Sequence, residues 1–142
     1  MTLYQCLVPA ASLDADTRAA LAEAITTVHA SVMSTPRIFV NVVFIEYEPT
    51  AYFTGGQPAA VSSITAAIRA GFDDAQRSEL LTRLSESWSS ITGQDARRIT
   101  VSLDEIDGSA RMEGGMILPS LGEEAIWAQS HAHELGELGW RD

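Results

Sequence analysis

Hydrophobic residues follow two different periods in the first half of the chain, and each period predicts an element. Residues 3–8 form a short apolar run that is typical of a strand. Asp14 is suited to cap a helix, and residues 38–45 are a β-branched and aromatic run that predicts a strand covered on both faces. The apolar positions between them recur at steps of four, three and four, on one face of a helix: Leu21, Ile25, Val28 and Val32.

The second half repeats this order. Residues 61–69 predict a strand, Asp73 caps a helix that Gly93 ends, and residues 99–103 predict a fourth strand. The predicted apolar face of this helix consists of Leu81, Leu84, Trp88 and Ile91. The whole chain therefore contains two strand-helix-strand segments.

The two segments also resemble each other residue by residue. A shift of fifty-nine places Asp14 on Asp73, Arg18 on Arg77, Leu21 on Leu80, Ile25 on Leu84 and Val32 on Ile91. A shift of sixty-one places Arg37-Ile38-x-Val40 on Arg98-Ile99-x-Val101. Because unrelated segments rarely agree in cap, charge and apolar positions together, we interpret them as duplicated βαβ units.

We predict a single α/β (α+β) domain over residues 1–142. It comprises a βαβ unit (1–46), a hairpin or loop (47–60), a second βαβ unit (61–106) and a C-terminal arm (107–142), helical around residues 123–135. Right-handed crossovers make the strands within each unit parallel, in a four-stranded sheet with two helices on one face. The other face needs cover, which predicts an oligomer. The arm is too short for its own core, so we expect it to pack on a neighbour.

Composition restricts the partners. The 142 residues carry a formal net charge of −10, which argues against nucleic acid or an anionic membrane surface as a partner. The apolar runs fall far short of the roughly 20 residues that span a bilayer, and no signal peptide is recognisable, so we expect a soluble cytoplasmic protein. Cys6 is the single cysteine and predicts a small core residue rather than a disulfide.

The distribution of chemical groups argues against cofactors and metals. All nine basic residues are Arg, which excludes Schiff-base chemistry and pyridoxal phosphate anchored on Lys. The segment from His131 to Glu134 lacks the His-x-x-x-His step of a helical metal site, and Asp104, Glu105 and Asp107 lack the spacing of a calcium loop. We therefore predict neither a metal nor a cofactor.

Several features together resemble the tautomerase superfamily. They are a strand that begins at the second residue, two βαβ units, an Arg that ends the third strand and the arm motif Glu113-Gly114-Gly115-x-x-x-Pro119. The longer-chain branch typified by cis-3-chloroacrylic acid dehalogenase is the most similar. The resemblance implies a homotrimer of double βαβ subunits. It also implies acid–base catalysis by an amino-terminal proline, which is exposed when the initiator Met is removed.

The resemblance implies roles for six positions of this chain. The proline falls on Thr2, and the active-site histidine falls on His29, within Ala24-Ile25-Thr26-Thr27-Val28-His29. Of two carboxylate-binding arginines, the first is Arg69 and the second is replaced by Phe72; the tyrosine of the fourth strand becomes Ser102, and the water-activating glutamate falls on Glu113. The chain therefore departs from the pattern at the proline, at one arginine and at the tyrosine.

Each candidate also has a purely structural interpretation. Thr2 could supply an α-amine as acid or base once Met1 is removed, or could be merely the first residue of a strand. Arg69 could bind a ligand carboxylate, or could pair with a protein acid, which would argue against a ligand site. His29 could be a packed core residue, and Glu113 an exposed loop residue.

The sequence thus favours a superfamily enzyme, or an enzyme relic, that binds a small carboxylate or 2-oxo acid. Arg69 would hold the acid beside Phe72, His29 and Ser102 would hydrogen-bond to it, Glu113 would orient water, and turnover would be weak because Thr2 replaces the proline. One alternative is a non-catalytic trimeric protein that binds small anions. Another is a ferredoxin-like dimer that binds a hydrophobic ligand, which predicts an antiparallel sheet.

Overall fold

Each of two long helices links a pair of eight-residue strands, and a short arm follows the second pair. A computed structural model describes residues 2–140. The strands are β1 (Thr2–Pro9), β2 (Val40–Tyr47), β3 (Phe53–Thr54), β4 (Gln57–Pro58), β5 (Ser62–Arg69), β6 (Ile99–Ile106), β7 (Met112–Glu113) and β8 (Met116–Ile117). The helices are α1 (Ala15–Met33), α2 (Asp74–Thr92), α3 (Glu124–Ser130) and α4 (Ala132–Glu137), with 3₁₀ turns at Arg37–Phe39, Ala96–Arg98 and Gly108–Ala110.

The four long strands form one sheet in the order β2-β1-β5-β6. Strand β1 is parallel to β2, and β5 is parallel to β6. The two central strands are antiparallel, with Leu3 opposite Ala67. This arrangement confirms the duplicated βαβ units and excludes the ferredoxin-like alternative, because that topology requires an antiparallel sheet throughout.

Both long helices begin at the predicted caps. The Asp14 carboxylate accepts a hydrogen bond from the backbone N–H of Thr17 at 2.7 Å. Asp73 and Gln76 form a reciprocal capping box, in which each side chain accepts from the other residue's backbone N–H. Gly93 ends α2 with a φ of 73°, a left-handed conformation that favours glycine.

The core lies between the sheet and both helices, which pack on the same face. Alternate residues of the two central strands point into it: Tyr4, Cys6, Val8, Ile64, Ala66 and Ile68. Of the two adjacent leucines in α2, Leu80 is buried in the core and not the predicted Leu81. The predicted core residue Ile91 is 37% exposed at the end of the helix. Burial raises the pKa of the Cys6 thiol to about 12, so the thiol stays protonated in the core.

The opposite face of the sheet is open in the protomer. Within the protomer residues 38–45 are covered on one face only, since Val43 and Ile45 are 40% and 41% exposed. Strand β2 lies at the edge of the sheet and begins two residues later than predicted, since Arg37–Phe39 forms a 3₁₀ turn. An apolar open face is typical of a surface that another chain covers.

The C-terminal arm packs on its own protomer, so the prediction that it is too short to take part in a core is wrong. Phe39, Met116 and Leu135 form a second buried cluster, against which Trp127 and Trp140 pack. Two close contacts, at Gly108 and Arg111, fix the position of the start of the arm.

The first contact is at Gly108, where a Cβ would lie 2.0 Å from the carbonyl oxygen of Pro119. The second is at Arg111, whose Nη1 donates to the carbonyl of Ala67 at 3.1 Å. The arm forms its small core because it can use Phe39 from the first unit, a partner that the local sequence of the arm does not reveal. Of the helices within residues 2–140, none combines the length and the apolar character needed to cross a membrane.

Candidate functional site

A cavity of about 860 Å³ lies where β1 begins and β5 ends. Because these two central strands are antiparallel, the first residue of β1 and the last residue of β5 reach the same end of the sheet. Helix α1 and the C-terminal arm form the other walls. Among the lining residues are Thr2, His29, Arg69, Phe72, Glu124 and Trp127. Four of the six predicted site residues therefore meet at one cavity.

His29 lies between two hydroxyl groups. Its Nδ1 is 2.8 Å from the Tyr4 hydroxyl, and its Nε2 is 3.2 Å from Oγ1 of Thr2. Tyr4 is fully buried, so its O–H must donate, and Nδ1 is the acceptor that this contact supplies. The remaining ring proton then sits on Nε2 and donates to Thr2. The Thr2 oxygen accepts this hydrogen bond in the wall of the cavity.

The environment of His29 keeps the imidazole neutral. The side chain is 2% exposed. Burial, assisted by nearby positive charge that includes Arg69, lowers the pKa of His29 to about 4. Burial likewise raises the pKa of the Tyr4 hydroxyl, so the phenol stays protonated. At neutral pH the Thr2–His29–Tyr4 group is thus an uncharged chain of hydrogen bonds, able to orient a polar atom and not to supply a cation.

Thr2 is 3% exposed and forms the first pair of the sheet with Val40. Its hydroxyl forms a hydrogen bond with His29, and the residue lines the cavity. The prediction that the Thr2 amine acts as acid or base depends on Met1, which lies outside the described residues. Position 2 therefore brings a hydroxyl to the cavity, and an amine only after removal of Met1.

The Arg69 guanidinium already forms an ion pair with a carboxylate of the protein. Its Nη2 lies 2.7 Å from Oε1 of Glu124, and the two side chains are 16% and 44% exposed. This is the kind of protein pairing that the sequence interpretation names as evidence against a ligand site. The pair nevertheless lies in the cavity wall, and its acid comes from α3 of the arm. A ligand carboxylate that enters here meets a guanidinium that already holds an anion.

Phe72 occupies the position of the second expected arginine. It is 7% exposed and belongs to the main core while lining the cavity. Its ring makes this wall apolar where the resemblance implies a second cation.

Ser102 and Glu113 lie away from the cavity. Ser102 is exposed on β6 and faces away from the core residues Val101 and Leu103. Glu113 is half-buried on β7, where its Oε1 accepts a hydrogen bond from Nδ2 of Asn41 at 3.2 Å. Within one protomer, neither residue is among those that line the cavity.

Three residues of the site were missed by sequence reasoning. Tyr4 carried a usable signal, because residues two apart on a strand share a face and Thr2 was already a candidate. Glu124 and Trp127 carried none, since their place in the cavity depends on how the arm folds back. Trp127 is held there by its indole N–H, which donates to the carbonyl of Ile117 at 2.7 Å.

Within residues 2–140, no group of three or more His, Cys, Asp or Glu side chains is arranged to hold a metal ion. The two histidines of the arm have other contacts. His131 lies with its Nδ1 2.9 Å from the Trp127 carbonyl, and His133 lies 3.5 Å from Glu137.

Comparison with known proteins places the fold in a family. A family model described as "Putative oxalocrotonate tautomerase enzyme" matches residues 1–132. The crystal structure of N1, a member of the cis-3-chloroacrylic acid dehalogenase family, is 30% identical, with a TM-score of 0.88 over 95% of this chain and 99% of that one. The crystal structure of native Ps01740 is 36% identical, with a TM-score of 0.76 over 78% of this chain and 99% of that one.

A native fused 4-OT shares the fold at 24% identity, with a TM-score of 0.74 over 81% of this chain and 94% of that one. No curated protein matches the chain. The chain belongs to the tautomerase superfamily, in the branch that resembles cis-3-chloroacrylic acid dehalogenase.

Proposed function

We propose that this protein binds a small carboxylate or 2-oxo acid and performs acid–base chemistry on it, of the isomerase (tautomerase) or dehalogenase and hydratase-like lyase kind. The observation that carries the proposal is the convergence of Thr2, His29 and Arg69 on one cavity in a chain of this family. A guanidinium beside neutral hydrogen-bonding groups suits a carboxylate with an adjacent keto or enol oxygen.

In this proposal Arg69 binds the carboxylate and the other groups handle the proton. The neutral His29 holds the Thr2 hydroxyl, which donates to a ligand oxygen. The α-amine of Thr2 is the acid or base once Met1 is removed, since an α-amine titrates near neutrality. We expect weak turnover, because a primary amine on threonine is less firmly placed than the ring nitrogen of a proline.

We propose that the active form is a homotrimer. The open sheet face, with half-exposed Val43 and Ile45, supplies an apolar surface for a neighbouring protomer. Solved structures of the same fold include a fused 4-OT described as a symmetric trimer. Ser102 and Glu113 lie toward this face, and we assign them to the cavity of a neighbour, where Glu113 would orient water. We place the protein in the cytoplasm, where its buried Cys6 stays reduced.

The decisive experiment measures turnover together with the state of the N-terminus. Mass spectrometry of the purified protein establishes whether Met1 is present, and the ketonisation of phenylpyruvate enol is followed by absorbance. Arg69→Gln should lower kcat/KM by about tenfold to a hundredfold, the range of a charge-assisted hydrogen bond. Arg83→Gln is the matched control, because Arg83 forms only an exposed helical ion pair with Glu79.

A non-catalytic trimeric protein that binds small anions is the second candidate. It is favoured by the threonine at position 2 and by the engagement of its hydroxyl with His29. This candidate predicts retention of Met1, no turnover and carboxylate binding that Arg69→Gln abolishes. Absence of both turnover and Arg69-dependent binding would contradict both candidates.

A further inference from the structure

The cavity is large and mostly apolar for a site that binds a small acid. Its volume of about 860 Å³ lies toward the upper end of the roughly 300–1,000 Å³ that accommodate drug-sized ligands. The apolar walls come from both βαβ units and from the arm: Met33, Phe39, Phe72, Leu121, Trp127 and Trp140. An acid of three or four carbons would touch few of these side chains.

We propose that the natural ligand is a monocarboxylate with a bulky apolar tail of about the size of an aryl group, and that Glu124 is an internal competitor for Arg69 that the ligand carboxylate displaces. This inference rests on the proposed function, because it concerns the same cavity and the same guanidinium. It adds the size and charge class of the ligand and a role for a residue of the arm.

The charges of the cavity favour a single carboxylate. Of the described residues that line the cavity, Arg69 is the one that carries a positive charge at neutral pH, since His29 is neutral. Phe72 stands where the resemblance implies the second arginine of the carboxylate clamp, so this wall offers no second cation to another anionic group. A dicarboxylate would therefore bury one anion against an aromatic wall, which is strongly unfavourable. The wall instead favours an apolar group, and each buried methylene is worth about fourfold in affinity.

Glu124 is placed to compete with a ligand carboxylate. It reaches Arg69 through one oxygen at 2.7 Å, and its other oxygen accepts from the backbone N–H of Gly122 at 2.8 Å. The Arg69 side chain is largely buried, whereas that of Glu124 is nearly half exposed. Displaced into solvent, Glu124 regains hydration, while Arg69 exchanges one carboxylate for another. Glu124 therefore lowers the affinity of every carboxylate ligand by the same factor, and an apolar tail offsets that loss through the surface that it buries.

Calorimetry with three unreactive probes tests both parts. The probes are 3-phenylpropanoate, propanoate and phenylsuccinate, a dicarboxylate. We expect 3-phenylpropanoate to bind at least tenfold more tightly than either of the others. Glu124→Gln should tighten 3-phenylpropanoate binding by about tenfold, because the competing charge is removed. Glu123→Gln is the matched control, since Glu123 is the exposed neighbouring acid in the same segment.

A neutral probe separates charge competition from a change in the shape of the cavity. Glu124→Gln should leave the affinity for 3-phenylpropanamide unchanged, while it tightens that for the acid. Unchanged or weaker binding of 3-phenylpropanoate to Glu124→Gln would overturn the role of Glu124. Equal affinities for propanoate and 3-phenylpropanoate would overturn the size class.

The failure of this inference is distinguishable from failure of the proposed function. If propanoate and 3-phenylpropanoate bind equally well and Arg69→Gln abolishes both, the proposed function stands and the inference is wrong. If none of the three acids binds in an Arg69-dependent manner, the proposed function itself is wrong. Circular dichroism of each variant verifies that the fold is intact.

Discussion

His29 in α1 and Trp88 in α2 hold the same place in the two βαβ units, fifty-nine positions apart. Both are almost fully buried, at 2% and 1% exposure. The imidazole of His29 joins Thr2 and Tyr4 beside a cavity, whereas the indole of Trp88 packs against Phe44 with ring centroids 6.3 Å apart. The same fold position thus forms hydrogen bonds beside a cavity in one unit and packs in the core of the other.

The strands that precede these helices differ in the same way. Thr2 and Ser62 both begin a central strand, and each is 3% exposed. Ser62 donates to Oε1 of Gln94 at 2.7 Å, and the same oxygen accepts from the Trp88 indole at 3.0 Å. Gln94 therefore satisfies the side-chain hydrogen bonds of Ser62 and Trp88 within the second unit. In the first unit, Thr2 instead lies beside the cavity.

The ends of the central strands complete the contrast. Strand β5 ends with Arg69 near Thr2, whereas β1 ends with Pro9 near Ser62. A duplicated fold with an antiparallel central pair offers two comparable ends, and this chain places His29 and Arg69 at one of them. The candidate site therefore depends on a few side chains rather than on the topology.

The largest expected effect tests the packing role of Trp88. Trp88→Ala should lower the free energy of unfolding by about 3–5 kcal/mol, because it leaves a large hole in the core. Trp88→Phe should lose much less, and its ligand affinity should match that of the wild type. Urea denaturation measures the first effect and calorimetry the second. A loss of affinity in folded Trp88→Phe would show that the two ends are not independent.

An intermediate effect tests the neutral state of His29. An unfolded histidine titrates near 6.5 and the folded one at about 4, so the unfolded chain binds the proton first. Stability should be full above pH 6.5 and fall as the pH drops toward 4, with a loss of about 2 kcal/mol between pH 7.5 and 5. Urea denaturation at these two pH values measures the loss, which His29→Gln should remove.

His133→Gln is the control for that experiment, since the side chain of His133 is 84% exposed. It should retain the full loss of stability at acidic pH. An undiminished pH dependence in His29→Gln would mean that other groups are responsible and that His29 is not held neutral.

The smallest effect compares the two strand starts directly. Ser62→Ala and Thr2→Ala should each lower the free energy of unfolding by about 1 kcal/mol, the typical net value of one hydrogen bond. Only Thr2→Ala should also weaken binding of 3-phenylpropanoate, because Thr2 lines the cavity and Ser62 does not. If Ser62→Ala weakens binding as much, the asymmetry between the two units does not hold.

The sheet and both long helices could be predicted because their signals are local. Asp14, Asp73 and Gly93 mark helix ends by their own chemistry, and the repeat identifies the strands of one unit from the other. The prediction that Leu81 faces the core was wrong by one residue, because Leu80 and Leu81 are both apolar and Leu80 is the one that is buried. What covers each face of β2 could not be predicted from residues 38–45 alone, since an apolar strand looks alike whether a helix or another chain covers it.

The site was predictable only as far as the fold brought its residues together. Thr2, His29, Arg69 and Phe72 were found through the resemblance, and the antiparallel β1–β5 pair explains why they meet. The Arg69–Glu124 ion pair joins residues 55 positions apart in sequence across a folded arm that carries no periodic signal. Long-range pairings of this kind depend on tertiary packing and leave no mark on local composition.

The antiparallel seam between β1 and β5 has a consequence for assembly. Thr2 and His29 come from one half of the chain and Arg69 from the other, so neither half alone contains the whole candidate site. The turn at Gly55–Gly56 links the halves on the surface, with open space around both glycines. The two fragments produced by a cut there should not bind the ligand separately. They should regain ligand binding when they are mixed, because together they reassemble the complete cavity.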